Sequence, residues 1–116
     1  MDLAFLKAQT EQYLALLPGS PGAVTRELLF IITVGSENQG KNLVARLERA
    51  GYSNLRLEQL RIFLRKKWRV SGLSHAVAYT APDIHRWLDS IDGLAREHNG
   101  TLETWAPSEG VQPGDR

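Results

Sequence analysis

The sequence predicts an α+β domain with the element order β-α-β-β-α-β, preceded by one further helix. Three observations lead to this prediction. The 116 residues provide enough apolar surface for one hydrophobic core. The apolar run from Leu28 to Val34 is typical of a buried strand. The segments that follow Gly35 and Tyr79 both open with residues that cap helices.

The N-terminal segment is expected to form a helix, residues 1–17. Apolar residues recur there at helical spacing, and Asp2 is placed to serve as its N-cap. The prolines and glycines of 18–22 end this helix, and residues 18–26 are interpreted as a linker. The run 28–34 is rich in β-branched residues and has no polar alternation, which predicts a strand buried on both faces.

A second helix is predicted from Ser36 to about Ala50. Ser36 and Gln39 have the spacing of a capping box, in which each side chain bonds the other residue's backbone N–H. The helix would bury one apolar face that includes Leu43 and Leu47. Gly51 then stands where a left-handed C-terminal residue is expected.

Residues 52–79 allow two interpretations. Leu55 and Leu57 stand at odd positions, whereas the apolar residues of 60–64 stand at even positions. Both sets can lie on one face of a strand only if the strand has a bulge between them. A short helix fits the same leucines almost as well. We favour the strand, because 68–79 has the pattern of a second strand that can pair with it after a turn near 65–67. Gly72 would mark a bulge or a close approach.

The remaining segments complete the predicted order. Thr80 begins a helix that ends at Asn99-Gly100, residues 101–106 form a last strand, and 107–116 form a flexible tail. This order specifies a ferredoxin-like sandwich over residues 27–106, with both of its helices on one sheet face. The other face is then left for the N-terminal helix or for a partner, and a second copy of the chain is one such partner.

Composition excludes several classes of function. The chain has no cysteine, so it offers no disulfide, thiolate nucleophile or cysteine-ligated metal. The three histidines lack metal-binding spacing, no Ser/His/Asp arrangement stands out, and we expect neither catalysis nor a cofactor. The apolar run 28–34 is too short to span a bilayer, and the N-terminus lacks the basic region of a signal peptide. We expect a soluble, cytoplasmic protein.

Charge is concentrated in one segment. The net charge is only +1, yet residues 56–69 contain six bases and one acid. Such a segment can contact a partner or nucleic acid, and its aromatic residues can stack on unpaired bases. The alternative is a solvated hairpin whose charges prevent edge-to-edge pairing. The candidate contact residues are Arg61, Arg65, Lys66, Lys67 and Arg69.

Residues 35–42 nearly match the phosphate-binding loop G-x-x-x-x-G-K-[ST], but Asn42 replaces the hydroxyl residue that would bind magnesium. A nucleotide site is therefore not expected. The pattern also fits a capped strand-to-helix turn. Weak anion binding at this helix start, by Ser36, Gly40 and Lys41, is the interpretation we retain.

Residues 36–106 resemble the B-type regulators of ribonuclease E activity. The resemblance rests on 47–52 (L-E-R-A-G-Y), on 78–84 (A-Y-T-A-P-D-I), on 94–100 (L-A-R-E-H-N-G) and on a closing strand tryptophan. It implies a ferredoxin-like regulator that binds a ribonuclease and has no chemistry of its own. The positions that correspond to recurrent family residues are Gly51, Tyr52, Gly100 and Trp105.

Overall fold

A computed structural model describes residues 3–16, 25–62 and 65–108 of the chain. Its strands form one antiparallel sheet in the spatial order β2-β3-β1-β4. The prediction of an α+β fold is therefore confirmed. In chain order the elements are α1 (Leu3–Leu16), β1 (Thr25–Val34), α2 (Glu37–Arg49), β2 (Ser53–Ile62), β3 (Arg65–Ala78), α3 (Ala81–Glu97) and β4 (Gly100–Pro107).

Some predicted features fall outside the described residues. These are the Asp2 cap, most of the linker (18–24) and most of the tail (109–116). β1 begins at Thr25, within the stretch interpreted as linker. None of the described helices has the length and apolar character required to span a bilayer.

The helix starts follow the predicted capping residues. The Ser36 hydroxyl accepts a hydrogen bond from the backbone N–H of Gln39 at 3.2 Å. The Thr80 hydroxyl accepts one from the N–H of Asp83 at 3.3 Å. Each bond satisfies a backbone donor that has no partner within its own helix, so both helices begin where the sequence places them.

The three helices of the described residues pack on one face of the sheet. Along β1, alternate residues from Leu28 to Val34 are buried in the core shared with the helices. The intervening residues face the other side, where Leu29 is 43% exposed. Within one chain, β1 is therefore buried on one face. The first of the two expected covers, the N-terminal helix, is not found on the other face, because α1 packs beside α3 and against β4. A Lys7–Asp89 ion pair of 2.8 Å joins these two helices.

Residues 53–62 form a strand, which resolves the choice between strand and helix. The expected bulge lies earlier than predicted, between Ser53 and Arg56. Leu57 pairs with Val70 on the helix side, whereas Leu60 faces the opposite side. Leu57 and Leu60 therefore occupy opposite faces of a strand that is regular from Arg56 onward. A side chain at Gly72 would place its Cβ 2.9 Å from the Ser53 carbonyl oxygen, so the predicted close approach is confirmed.

The last strand extends further than predicted. β4 ends at Pro107, and the N–H of Ser108 donates a 3.0 Å hydrogen bond to the carbonyl of Glu27. Both Pro107 and Ser108 are buried. They belong to the sheet, so the assignment of Pro107 to a flexible tail was wrong.

Candidate interaction site

The hairpin formed by β2 and β3 extends beyond the other two strands. The pairing of β1 with β3 ends at Val34 and Trp68, whereas β3 continues back to Arg65 and pairs there with β2. We call residues 60–62 and 65–67 the distal hairpin. Its backbone is held by one ladder of hydrogen bonds, and it carries four of the five predicted contact residues.

The four bases of the distal hairpin are exposed and have no acidic partner among the described residues. Arg61, Arg65, Lys66 and Lys67 make no ion pair with any described carboxylate. The fifth predicted residue, Arg69, is half-buried, and its Nη2 lies 3.0 Å from the Glu58 Oε1. The uncompensated charge is therefore concentrated on the distal hairpin, where it is available to an external anion.

The bases of the hairpin lie on both of its faces. Strand alternation places Arg65, Lys67 and Arg69 on the uncovered side of the sheet, and Arg61 and Lys66 on the helix side. The structure therefore brings all five predicted residues onto one hairpin but does not align them in one plane. Trp68, between them in sequence, is half-buried and packs against the core, so it offers little ring surface for stacking.

The uncovered side of the sheet, which we call the open face, forms a second surface. A shallow groove of about 640 Å³ crosses it. Three rows of paired residues run across all four strands here. In the order β2, β3, β1, β4 they are Ser53–Leu73–Leu29–Ala106, Arg56–Ser71–Ile31–Thr104 and Glu58–Arg69–Thr33–Thr101.

Sequence reasoning did not single out the residues of this groove. Leu29, Ile31 and Leu73 form its apolar centre, and Arg56 bounds it on the β2 side. Arg56 is exposed and makes no ion pair with a described carboxylate. The signal in the sequence is the pair of apolar residues at odd positions of β1, Leu29 and Ile31, which predicts a face covered by the N-terminal helix or by a partner.

The four positions that match the family resemblance contribute to the hydrophobic core or to the conformation of the backbone. Gly51 has a left-handed φ of 94°, which glycine adopts without strain. A Cβ at Gly100 would lie 2.8 Å from the Val34 Cγ1. Trp105 is 1% exposed. Tyr52 is buried, and its hydroxyl accepts a 2.8 Å hydrogen bond from the Trp87 indole N–H.

Burial also changes the acidity of Tyr52. Loss of water around its hydroxyl raises the pKa of Tyr52 to about 12, and the hydrogen bond from Trp87 opposes this rise. Tyr52 therefore keeps its proton at alkaline pH values at which a solvent-exposed tyrosine ionises, and its hydroxyl oxygen accepts the hydrogen bond from Trp87. Gly51, Tyr52, Gly100 and Trp105 therefore all have structural roles in this chain.

The three residues proposed to bind an anion lie at the start of α2. The Ser36 hydroxyl is engaged by Gln39, and the Lys41 Nζ lies 3.6 Å from the Glu37 Oε2. Gly40 is buried within the helix, where a Cβ would lie 2.5 Å from the Leu57 Cδ1. Residues 37–41 are helical and form no loop around a phosphate. The glycine is explained by close packing of α2 on β2.

The histidines lie apart from one another. The His85 Nε2 lies 3.2 Å from the Lys7 carbonyl oxygen, and the His98 Nδ1 lies 2.9 Å from that of Leu94. His75 stands edge-on to the Tyr52 ring. Within the described ranges, no three side chains of metal-binding type come together.

Comparison with known proteins adds no family assignment, since the chain matches no protein-family model and no curated protein sequence. The distal hairpin and the open face are therefore interpreted from their own chemistry.

Proposed function

We propose that this protein is a non-catalytic regulatory domain that binds another protein through its distal hairpin. The observation that carries the proposal is a set of four exposed bases, without acidic partners in the described ranges, on a hairpin that extends past the sheet. Such a surface is complementary to an acidic protein segment. The resemblance of residues 36–106 to regulators of ribonuclease E activity points to a ribonuclease or another RNA-processing enzyme as the partner, and to a cytoplasmic location.

The fold assignment belongs to the same proposal. We interpret the domain from β1 to β4 as ferredoxin-like. The strand order β2-β3-β1-β4, with all neighbours antiparallel, and the packing of α2 and α3 on one face support this interpretation. The same architecture is expected from the resemblance.

A protein partner accounts for the site better than a nucleic acid does. Binding of single strands combines cations with aromatic rings on which bases stack. Trp68 packs against the core, and Phe30 and Trp105 are buried on the helix side. The described part of the basic surface therefore offers charge without an exposed ring platform.

A pull-down with matched variants tests the proposal. The test variant carries Arg65→Glu, Lys66→Glu and Lys67→Glu on the distal hairpin. The control carries Lys41→Glu, Arg46→Glu and Arg49→Glu, three exposed bases of α2, so both variants have the same net charge. Purified wild type and variants are incubated with lysate of the source organism, with and without nuclease.

We expect the wild type and the α2 control to retain the same nuclease-resistant protein, and the hairpin variant to lose it. Retention of that protein by all three would show that the hairpin is not the contact. Absence of any retained protein would contradict the regulatory function itself. Mass spectrometry of the retained band identifies whether it is an RNA-processing enzyme.

The second candidate function is direct binding of nucleic acid by the same bases. Their positions on both faces of the hairpin favour it, because a flexible strand can wrap around the hairpin and meet both sets. Four phosphate contacts on a single strand predict a slope of about −3 for log affinity against log salt. Fluorescence anisotropy with a labelled single-stranded RNA measures this slope. A slope near zero, or equal affinity of the hairpin variant, would exclude this candidate.

A further inference from the structure

We infer that the open face binds a second copy of this chain, so that the protein is a homodimer with a twofold axis parallel to its strands. This inference concerns a different surface from the distal hairpin and stands independently of the proposed function. It rests on the apolar centre of the open face and on a division of charge between its two halves.

The apolar centre gives the face a reason to be covered. Leu29 is 43% exposed, and Ile31, Leu73 and Ala106 are half-buried beside it on neighbouring strands. The helices shield the other side of the sheet and leave these side chains in contact with water. Covering adjacent apolar groups of this kind is favourable in proportion to the area removed from water.

Charge is divided across the open face. The β2–β3 half carries more bases than acids, since Glu58 is the one acid among the described residues on that half of the face. The β1–β4 half carries acids: Glu103 accepts a 2.7 Å hydrogen bond from the Thr33 hydroxyl, which holds it on this face, and Glu27 has the same parity as Leu29. The bases of the first half that lie level with β1 and β4 are Arg56 and Arg69, whereas Arg65 and Lys67 share their parity but belong to the distal hairpin beyond the end of β1.

A twofold axis parallel to the strands, between β3 and β1, brings opposite charges together. It exchanges β3 with β1 and β2 with β4, so each row meets the same row of the second copy. Leu73 then faces Leu29 of the second copy, and Arg56 faces Thr104 beside Glu103. The contacts occur twice, because a twofold interface is self-complementary.

The alternative twofold axis, perpendicular to the strands, places β2 over β2. Arg56 would then lie near its own equivalent, and the two basic halves would repel each other. The distribution of charge therefore selects both the occupant and its orientation.

The size of the face sets the expected strength. Four strands spaced about 4.8 Å apart, at about 3.3 Å per residue over ten residues, present roughly 600 Å² per copy. Roughly 1,200 Å² in total lies at the lower end of specific interfaces. We therefore expect a dimer that dissociates on dilution.

This arrangement has a consequence for the distal hairpins. Rotation about an axis parallel to the strands leaves the strand direction unchanged, so both hairpins extend from the same end of the dimer. A partner with two acidic segments can then engage both hairpins, and its affinity rises through effective concentration.

Light scattering during size-exclusion chromatography, over a series of loading concentrations, tests the dimer. We expect the wild type to show a dimer mass at high concentration. Leu29→Asp should raise the dissociation constant of the dimer about 100-fold, since the substitution occurs twice in the interface. Phe5→Asp is the matched control, because Phe5 is 49% exposed but lies on α1, and it should dimerise as the wild type does.

A charge exchange tests the orientation. Arg56→Glu alone and Glu103→Arg alone should each be monomeric, because each places like charges opposite each other twice. Mixing the two variants should restore a heterodimer, in which every contact again joins opposite charges. Circular dichroism of each variant shows that it is folded before mixing, and the Arg56→Glu/Glu103→Arg double variant provides a second route to restored dimers.

Three outcomes would overturn the inference. A wild type that stays monomeric at every concentration would leave the open face without a second copy. Dimers that persist in Leu29→Asp would place the interface elsewhere. Failure of both the mixture and the double variant to associate would refute the proposed axis. If a monomeric wild type loses its pulled-down protein on Leu29→Asp, the occupant of the face is that protein and not a second copy.

Discussion

Substitution of Trp105 tests whether this residue, at a position that matches the family resemblance, contributes to partner binding or to folding. Its ring lies between two others, with ring centres 4.8 Å from Tyr13 of α1 and 6.1 Å from Trp87 of α3. Its indole N–H donates a 3.1 Å hydrogen bond to the Leu6 carbonyl. Because Trp105 is 1% exposed, we expect Trp105→Phe to reduce stability and to leave partner binding unchanged.

The expected loss of stability follows from these contacts. Removing the N–H donor costs about 1 kcal/mol, the usual net value of one hydrogen bond. The smaller ring leaves a void beside Tyr13 and Trp87 that costs roughly 1–2 kcal/mol more. The sum, about 2–3 kcal/mol, is a large share of the ~5–15 kcal/mol by which a domain is stable. Trp68→Phe, at a half-buried position, should cost less than about 1 kcal/mol.

Urea unfolding followed by circular dichroism measures both changes. The slope of free energy against urea should stay constant between wild type and variants, which shows that the same surface unfolds. Equal destabilisation by the two substitutions would refute the larger contribution to stability inferred for Trp105 from its burial and its contacts with Tyr13, Trp87 and Leu6. Loss of partner binding by folded Trp105→Phe, with unchanged stability, would make the residue a contact after all.

Three further predictions concern glycine packing, pH and nucleotides. Gly72→Ala should lower the free energy of unfolding by about 1–3 kcal/mol, because its Cβ would lie 2.9 Å from a backbone oxygen. Gly93→Ala, with nothing within 4 Å of its Cβ in α3, should raise it by about 0.5–1 kcal/mol. Stability should fall between pH 10 and about pH 12, because the unfolded chain releases the Tyr52 proton that the folded chain retains; Tyr52→Phe should flatten this fall in urea unfolding. ATP should not shift the melting temperature of the wild type or of Lys41→Ala.

Each of these predictions has a result that would contradict it. Thermal melting that shows equal effects at Gly72 and Gly93 would mean that backbone crowding does not decide the outcome. An unchanged pH profile in Tyr52→Phe would show that other groups control alkaline unfolding. An ATP-dependent rise in melting temperature that disappears in Lys41→Ala would restore the nucleotide site that the helical geometry argues against.

The features predicted well from the sequence are those that a local residue pattern indicates. Ser36 and Thr80 cap helices by bonding backbone groups three residues away, and those pairs are visible in the sequence. A glycine within a strand pattern predicts a bulge or a close approach at Gly72, and the structure shows the close approach. For the two caps the bonded group lies three residues away in the chain, and for Gly72 the missing side chain indicates crowding without naming the neighbour, which is Ser53 on β2.

The features predicted badly depend on the arrangement of layers. An apolar run such as 28–34 looks the same whether one face or two are covered, and the position of α1 decided between them. The alternation of the leucines predicts a bulge between Leu57 and Leu60, whereas the bulge of β2 lies at Asn54, where φ is 52°. Leu57 and Leu60 then fall on opposite faces without irregularity. The alternation of apolar residues along one strand does not show which face of that strand the helices cover.

The sequence predicts the basic residues of the candidate site but not the contacts between strands that complete it. The basic segment was evident from composition, and the structure brings its five residues onto one hairpin. The ion pair between Arg69 and Glu58 depends on the register of two strands, as does the row that sets Arg56 beside the apolar groove. Register is fixed by tertiary pairing, so these contacts cannot be derived from the sequence.

The charges of the distal hairpin can also serve a second role, which is to prevent the edges of its strands from pairing with other chains. Residues 65–67 of β3 extend past β1, and charged side chains on such an unpaired edge prevent association with other strands. Protection requires charge but is indifferent to its sign, whereas binding of an acidic partner requires positive charge. The variant with glutamate at 65, 66 and 67 separates the two roles. If the bases serve only as protection, this variant should remain monodisperse and retain every partner of the wild type. If they serve recognition, it should remain monodisperse and lose the partner, because reversal of sign turns attraction into repulsion.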